Sequence, residues 1–235
     1  MVHTPRTSAA PPELLKNGKR WTARWQSACA SSKSCDWATA TAKKVLRAAL
    51  RGLALGKCIY CESALEVSGY LEIDHYVAKT VAPERAFEWL NLLPACRRCN
   101  NAKGQQDHQN ALLKPDEEDP EPYFWIHPDT GNFEPHPKLD EAQARRALET
   151  IRICHLNRGA LCVKRVEMLE RTGRWQRHVA DGGLTPMLED EWDALSHPAA
   201  EYKFVVRYTL QLLGQHELAE YDRDRFRSTV IQSPS

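Results

Sequence analysis

The spacing of apolar and polar positions changes character several times along the chain. Residues 1–20 hold prolines, serines and threonines with no period and read as a stretch that meanders over the surface. From Asp36 the segment DWATATAKKVLRAALRGLALGK turns periodic. Trp37, Val45, Leu46, Leu50 and Leu53 share one helical face, Asp36 stands where an N-cap would, and Gly56 supplies the stop. Short β-like runs follow, CIYCES, LEVSGYLEIDHYV and FEWLNLLPAC, each closed by turn residues. CRRCNNAKGQQ then reads as the opening of a helix.

Residues 104–138 carry six prolines and the acidic run DEEDPE, the texture of a linker or an irregular wrapping segment, with a small hairpin turning at Asp129-Thr130-Gly131. From Leu139 onward the pattern is helical, in four amphipathic stretches. The organisation expected is a basic arm at 1–35, a small mixed α+β domain at 36–112, a linker at 113–138 and a helical region at 139–235. Trp125, Trp175 and Trp192 read as core or interface anchors rather than base-stacking platforms.

Composition bounds the class. The 235 residues are 42% hydrophobic and 27% charged, ordinary for a globular protein. No apolar run approaches the ~20 residues that span a bilayer, and the opening residues lack a signal-peptide core, so no membrane role and a cytosolic location are expected. The net charge of +1 conceals an asymmetry: residues 1–57 hold 11 Lys/Arg against Glu13 and Asp36, whereas the remainder is net acidic. That basic segment fits either a phosphate-facing surface or a helix docked on the acidic remainder.

The cysteines carry the first specific chemistry. Cys58/Cys61 and Cys96/Cys99 form two C-x-x-C pairs separated by 34 residues. Each pair makes a knuckle that presents two thiolates, and two knuckles complete a closed, structural zinc site. Cys29, Cys35, Cys154 and Cys162 share no such spacing, and the last two sit in helical patterns as small buried hydrophobes. Between the pairs stand Glu72, Asp74-His75 and Asn91; Asn100 follows Cys99, and Lys103 lies three residues further on. Asp74 and Asn100 offer hard oxygens suited to Mg²⁺ or Mn²⁺, so two kinds of metal sort themselves by ligand softness.

This order of residues resembles the HNH endonuclease family, whose pattern runs C-x-x-C, D-H, a central N, then C-x-x-C-[HN]-x-x-K. The resemblance implies a ββα-metal core with a catalytic divalent cation between strands and helix. It casts His75 as general base, Asp74 and Asn100 as ligands of that cation, and Asn91 as the residue that orients the His75 loop. Lys79 and Lys103 are expected at flanking phosphates, while Glu72 is expected to face solvent. Asn100 stands where many members have His. The segments CIYCE, EIDHYVAK, FEWLNLLPACRRCNNAKG and HLN-RGAL-VKR narrow the resemblance to the PtuB-type HNH subunits of Septu anti-phage systems, with Ala78 where most of those carry Pro. That implies nucleic acid as substrate, DNA before RNA, and a PtuA-type ATPase of the SMC/ABC kind as partner, with the helical region as its docking surface. A zinc module that grips nucleic acid without cutting it would have no use for Asp74, His75 and Asn100 together.

Overall fold

The computed structural model describes residues 1–6, 9–31, 36–65 and 71–232. The helices are α1 (Pro12–Ala30), α2 (Ala40–Leu53), α3 (Arg97–Lys103), α4 (Glu141–Ile153), α5 (Gly159–Gly182), α6 (Pro186–Ser196), α7 (Lys203–Leu212) and α8 (His216–Gln232). The strands are β1 (Glu72–His75), β2 (Leu92–Ala95), β3 (Phe124–Ile126) and β4 (Phe133–Pro135). They form two antiparallel pairs, β1 with β2 and β3 with β4. The fold is α+β: the small ββα unit of β1, β2 and α3 sits between N-terminal helices and a helical C-terminal region.

Three expectations change. First, residues 12–30 are helical, not a meandering arm. Pro12 at the first turn gives up a backbone donor that would be orphaned anyway, and Leu14, Trp21 and Trp25 turn inward on a narrow face. Second, α2 is capped by Thr39 rather than Asp36: the Thr39 hydroxyl accepts from Ala42 N at 3.2 Å, while exposed Asp36 pairs with Lys43. Leu46 and Leu50 bury completely, as their spacing required, and Gly56 reverses the chain at φ +75°.

Third, residues 113–138 are not a linker. Leu113, Phe124, Ile126 and Phe133 are buried in the same apolar cluster that holds Leu46 and Leu50 of α2 and Ile153 of α4. Their burial removes apolar surface from water, and two ion pairs add to it: buried Arg6 with Asp116 at 3.0 Å and half-buried Arg146 with Glu118 at 2.6 Å. The core therefore runs without a break through the expected boundaries at 112 and 139. The β3–β4 hairpin does turn where Asp129-Thr130-Gly131 placed it.

The β-like runs shrink. CIYC is a tight turn closed by a bridge between Lys57 and Ala64, and strand structure is confined to Glu72–His75 and Leu92–Ala95. The middle of LEVSGYLEIDHYV lies outside the described residues, as does Cys35. Cys154 and Cys162 are buried, and Cys29 is exposed. A second apolar cluster closes the C-terminal helices around Trp175, which stacks on Trp192 at 4.8 Å; Trp125 is half-buried on β3. Among the described residues, no helix is long and apolar enough to cross a membrane.

Candidate active site and metal centre

The two cysteine pairs meet. Cys58 and Cys61 lie on the turn after α2, held by Cys58 N to Ser63 O and Ile59 N to Pro94 O at 2.9 and 3.0 Å. The second hydrogen bond fastens this knuckle to β2. Cys96 caps α3, its sulfur accepting from Cys99 N at 3.5 Å. All four sulfurs are buried and lie within 4.8 Å of one another, with Cys61 and Cys96 at 3.8 Å. Zinc–sulfur bonds of ~2.3 Å in a tetrahedron put the sulfurs ~3.8 Å apart, so the cage fits that ion. Burial drives the Cys58 thiol pKa up, while hydrogen bonding from Cys58 holds that of Cys61 down.

The helical region supplies an unanticipated part of this centre. Arg158, directly before α5, points its guanidinium at Cys99 Sγ (3.5 Å) and Cys96 Sγ (3.9 Å). Four thiolates around a dication carry a net −2, and a donating cation beside the sulfurs offsets part of that buried charge. The chain near residue 200 grips the first knuckle as well. Lys57 Nζ donates to the carbonyls of Pro198 and Ala200 at 2.9 and 2.8 Å, Ser63 meets Tyr202 at 3.1 Å, and Ala64 N donates to Glu201 at 2.6 Å.

Asp74 and His75 end β1 and look into a cavity of about 230 Å³ that Lys79 and Asn100 also line. His75 is 5% exposed, and its Nε2 lies 3.0 Å from the Ala86 carbonyl. A carbonyl only accepts, so the proton sits on Nε2 and the neutral ring keeps its lone pair on Nδ1. Burial, then the positive charge of Lys79, pull the His75 pKa down to about 3, against the pull of the Ala86 carbonyl. Trp37 sets its edge against the His75 ring at 4.5 Å and 82°.

Asn91 is wholly buried and fixes both flanks of that histidine. Its Oδ1 accepts from Val77 N at 2.8 Å, and its Nδ2 donates to the carbonyls of Val77 and Arg85 at 3.0 and 3.1 Å. Val77 lies two residues after His75, and Arg85 directly precedes the Ala86 that holds the ring.

Asn100 Nδ2 donates to Glu72 Oε2 at 2.6 Å, which leaves Oδ1 as the free acceptor of that amide. Glu72 is thus a tether for Asn100 and not a solvent-facing charge. Asp74 accepts from Tyr60 OH at 2.6 Å on Oδ2 and from Lys103 Nζ at 3.0 Å on Oδ1. Each carboxylate oxygen retains a lone pair, so Asp74 and Asn100 fit a hard divalent cation at the cavity.

Lys103 differs from expectation. It is 2% exposed, and its ammonium is engaged inside the protein by Asp74 and, at 2.6 Å, by the His75 carbonyl. Lys79 does line the cavity; burial lowers its pKa and Asp74 opposes that shift. Sequence reasoning also missed Tyr60, Trp37 and Arg158. Tyr60 and Arg158 lie inside the CIYCE and HLN-RGAL segments, and Trp37 was placed only on an apolar helix face.

Comparison with known proteins agrees with this geometry. Residues 58–106 match the family described as HNH endonuclease. The chain is 42% identical over 66 residues to the Septu protein PtuB of Bacillus thuringiensis, covering 28% of this chain and 26% of that protein. It is 31% identical over 91 residues to a Septu protein PtuB of Bacillus mycoides (strain KBAB4), covering 31% of each. The chain thus spans between about a quarter and a third of the curated relatives it matches. Two antiparallel strands, the following helix, the paired cysteine knuckles and Asp74-His75 at the strand end all lie within or beside residues 58–106, the span that matches the HNH endonuclease family.

Proposed function

We propose that this chain is a metal-dependent endonuclease that hydrolyses phosphodiester bonds of nucleic acid, with His75 as general base. The observation that carries this reading is the His75 ring. Its tautomer is set by Ala86, its Nδ1 lone pair is free of protons near neutral pH, and it stands in one cavity with the oxygens of Asp74 and Asn100. A water's proton passes to Nδ1 as its oxygen attacks phosphorus. The phosphorus–oxygen bond to the leaving strand breaks, and that oxygen takes a proton from solvent. Asp74 and Asn100 hold a Mg²⁺ or Mn²⁺ ion that, when bound, stabilises negative charge on the scissile phosphate. Lys79 contacts a phosphate at the cavity mouth, and Asn91 keeps the base in place. The four cysteines hold a structural zinc.

The likeness to Septu PtuB proteins supports a role in anti-phage defence beside a PtuA-type ATPase, with DNA as the first candidate substrate and the helical region as the docking surface. The test is cleavage of supercoiled plasmid and of total tRNA with Mg²⁺ or Mn²⁺, for the wild type and His75→Ala, with and without the ATPase. Cutting lost in His75→Ala supports the reading and names the substrate. Nucleic acid bound but never cut, with zinc in place, would make this a binding module instead.

A further inference from the structure

Helix α1 presents two different faces. Inward, Trp21 meets Phe87 at 5.4 Å, Phe87 meets Trp37 at 5.1 Å, and Trp37 meets His75 at 4.5 Å, a line of rings from helix to cavity. Trp25 Nε1 donates to the Lys79 carbonyl at 3.3 Å. The second half of α1 is therefore fixed beside the site. Outward, Lys16, Arg20 and Arg24 are all exposed. They recur every fourth residue, so they stand in one row ~12 Å long with steps of ~6 Å.

Among the described residues, none of these three cations is paired with a carboxylate. Arg20 donates to the Asn17 amide oxygen at 2.9 Å and Arg24 to the Asp36 carbonyl at 2.8 Å. Asp36 links Arg24 to Lys43, accepting from both, and Lys43 in turn acts electrostatically on Lys79, which lines the cavity. Among the described residues no carboxylate pairs with the row, and α1 is docked on the rest of the chain through its Trp21/Trp25 face, which leaves the row to solvent. A membrane surface fits poorly. A helix lying on lipid needs a free apolar face, and the Trp21/Trp25 face of α1 is packed on the protein.

We propose that the outward face of α1 is a track for a nucleic-acid backbone, in which Lys16, Arg20 and Arg24 neutralise phosphates and lead the strand toward Lys79 and the cavity. Backbone charges recur every ~3.4 Å of duplex axis on one strand, so a row ~12 Å long runs alongside several phosphates. The track's direction rests on the nuclease reading of the cavity; its affinity for phosphates does not.

The experiment uses the full chain carrying His75→Ala, so that bound nucleic acid stays whole. Fluorescence anisotropy with a labelled DNA duplex, its single strand and the matching RNA is followed over a range of salt. Relative to that parent, Lys16→Gln/Arg20→Gln/Arg24→Gln should lower the slope of log affinity against log salt by ~2.7 for the duplex and ~2 for a single strand. Lys16→Arg/Arg20→Lys/Arg24→Lys should keep the parental slope, and so should Arg145→Gln/Arg152→Gln on α4, which removes two exposed cations elsewhere. Melting curves and zinc content check that each variant folds. An unchanged slope in the neutralised variant overturns the track, as does a parent that binds anionic vesicles but no nucleic acid. Hydrolysis of bis(p-nitrophenyl) phosphate by the unmutated chain with Mn²⁺ tests the cavity separately. If that fails while the slope falls as stated, the track stands and the nuclease reading does not.

Discussion

Lys103 Nζ lies 3.0 Å from Asp74 Oδ1 in an ion pair whose two side chains are at most 2% exposed, and the same ammonium donates to the His75 carbonyl. The last turn of α3 is thereby stapled to the end of β1, so one lysine fixes the relative position of the two elements that make the site. Removing one partner of such a pair leaves the other buried and uncompensated, at a cost of ~3–5 kcal/mol.

Lys103→Met is accordingly expected to lower the melting temperature by many degrees and to abolish cleavage with it. Thermal unfolding of the purified variant checks this. A wild-type melting curve combined with a weakened salt dependence of binding would return Lys103 to a phosphate contact.

His75→Ala and Asn91→Ala should separate chemistry from positioning. His75→Ala removes a base worth ~10²–10⁴ in rate and leaves zinc content unchanged. Asn91→Ala orphans the N–H and the carbonyl of Val77 in the interior, while the Arg85 carbonyl keeps Glu88 N, and it is expected to cost at least ~2 kcal/mol as well as activity. Urea unfolding of both variants beside a plasmid-cleavage assay distinguishes the two patterns.

The metal centre offers a graded series. Cys58→Ser and Cys99→Ser each remove a ligand, and because structural zinc contributes directly to folding both should unfold the site. Arg158→Gln keeps all four sulfurs and should loosen zinc by ~10–100-fold, read by competition with a chromophoric chelator. Unaltered zinc affinity in Arg158→Gln would reduce that residue to a packing role.

Gly131→Ala tests how tightly the β3–β4 turn is seated on α5. Gly131 has φ +68°, and a Cβ there would lie 2.2 Å from the Cys162 carbonyl oxygen, so backbone must move. A loss of more than ~2 kcal/mol is expected from equilibrium unfolding, far from any site residue.

What could be read from the chain follows from how local each cause is. The cysteine spacing declares the knuckles because ligand geometry alone dictates it. Asp74-His75 stands out through its place in the HNH pattern between the two cysteine pairs, and the structure puts it at the end of β1. The α2 face was equally plain, since Leu46, Leu50 and Leu53 repeat with the helical period. α1 was hidden because its inward face has few apolar residues, Leu14, Trp21 and Trp25, spread among lysines and arginines. Lys103, Glu72 and Arg158 were misjudged or missed for another reason. Each is ordinary in sequence, and its role exists only through a partner brought near by tertiary folding.

The grip on the first knuckle has a consequence for what counts as a module here. The span of 58–106 that matches the family is held by side chains from well outside it. Cut out, it would lose Arg158 from its sulfurs, the hydroxyl of Tyr202 from Ser63 and the carboxylate of Glu201 from Ala64. Its ancestry can be traced through a cassette of about fifty residues. Its architecture is that of a cassette grown into its neighbours, so that force or binding applied to the segment after α6 would be felt at the four cysteines.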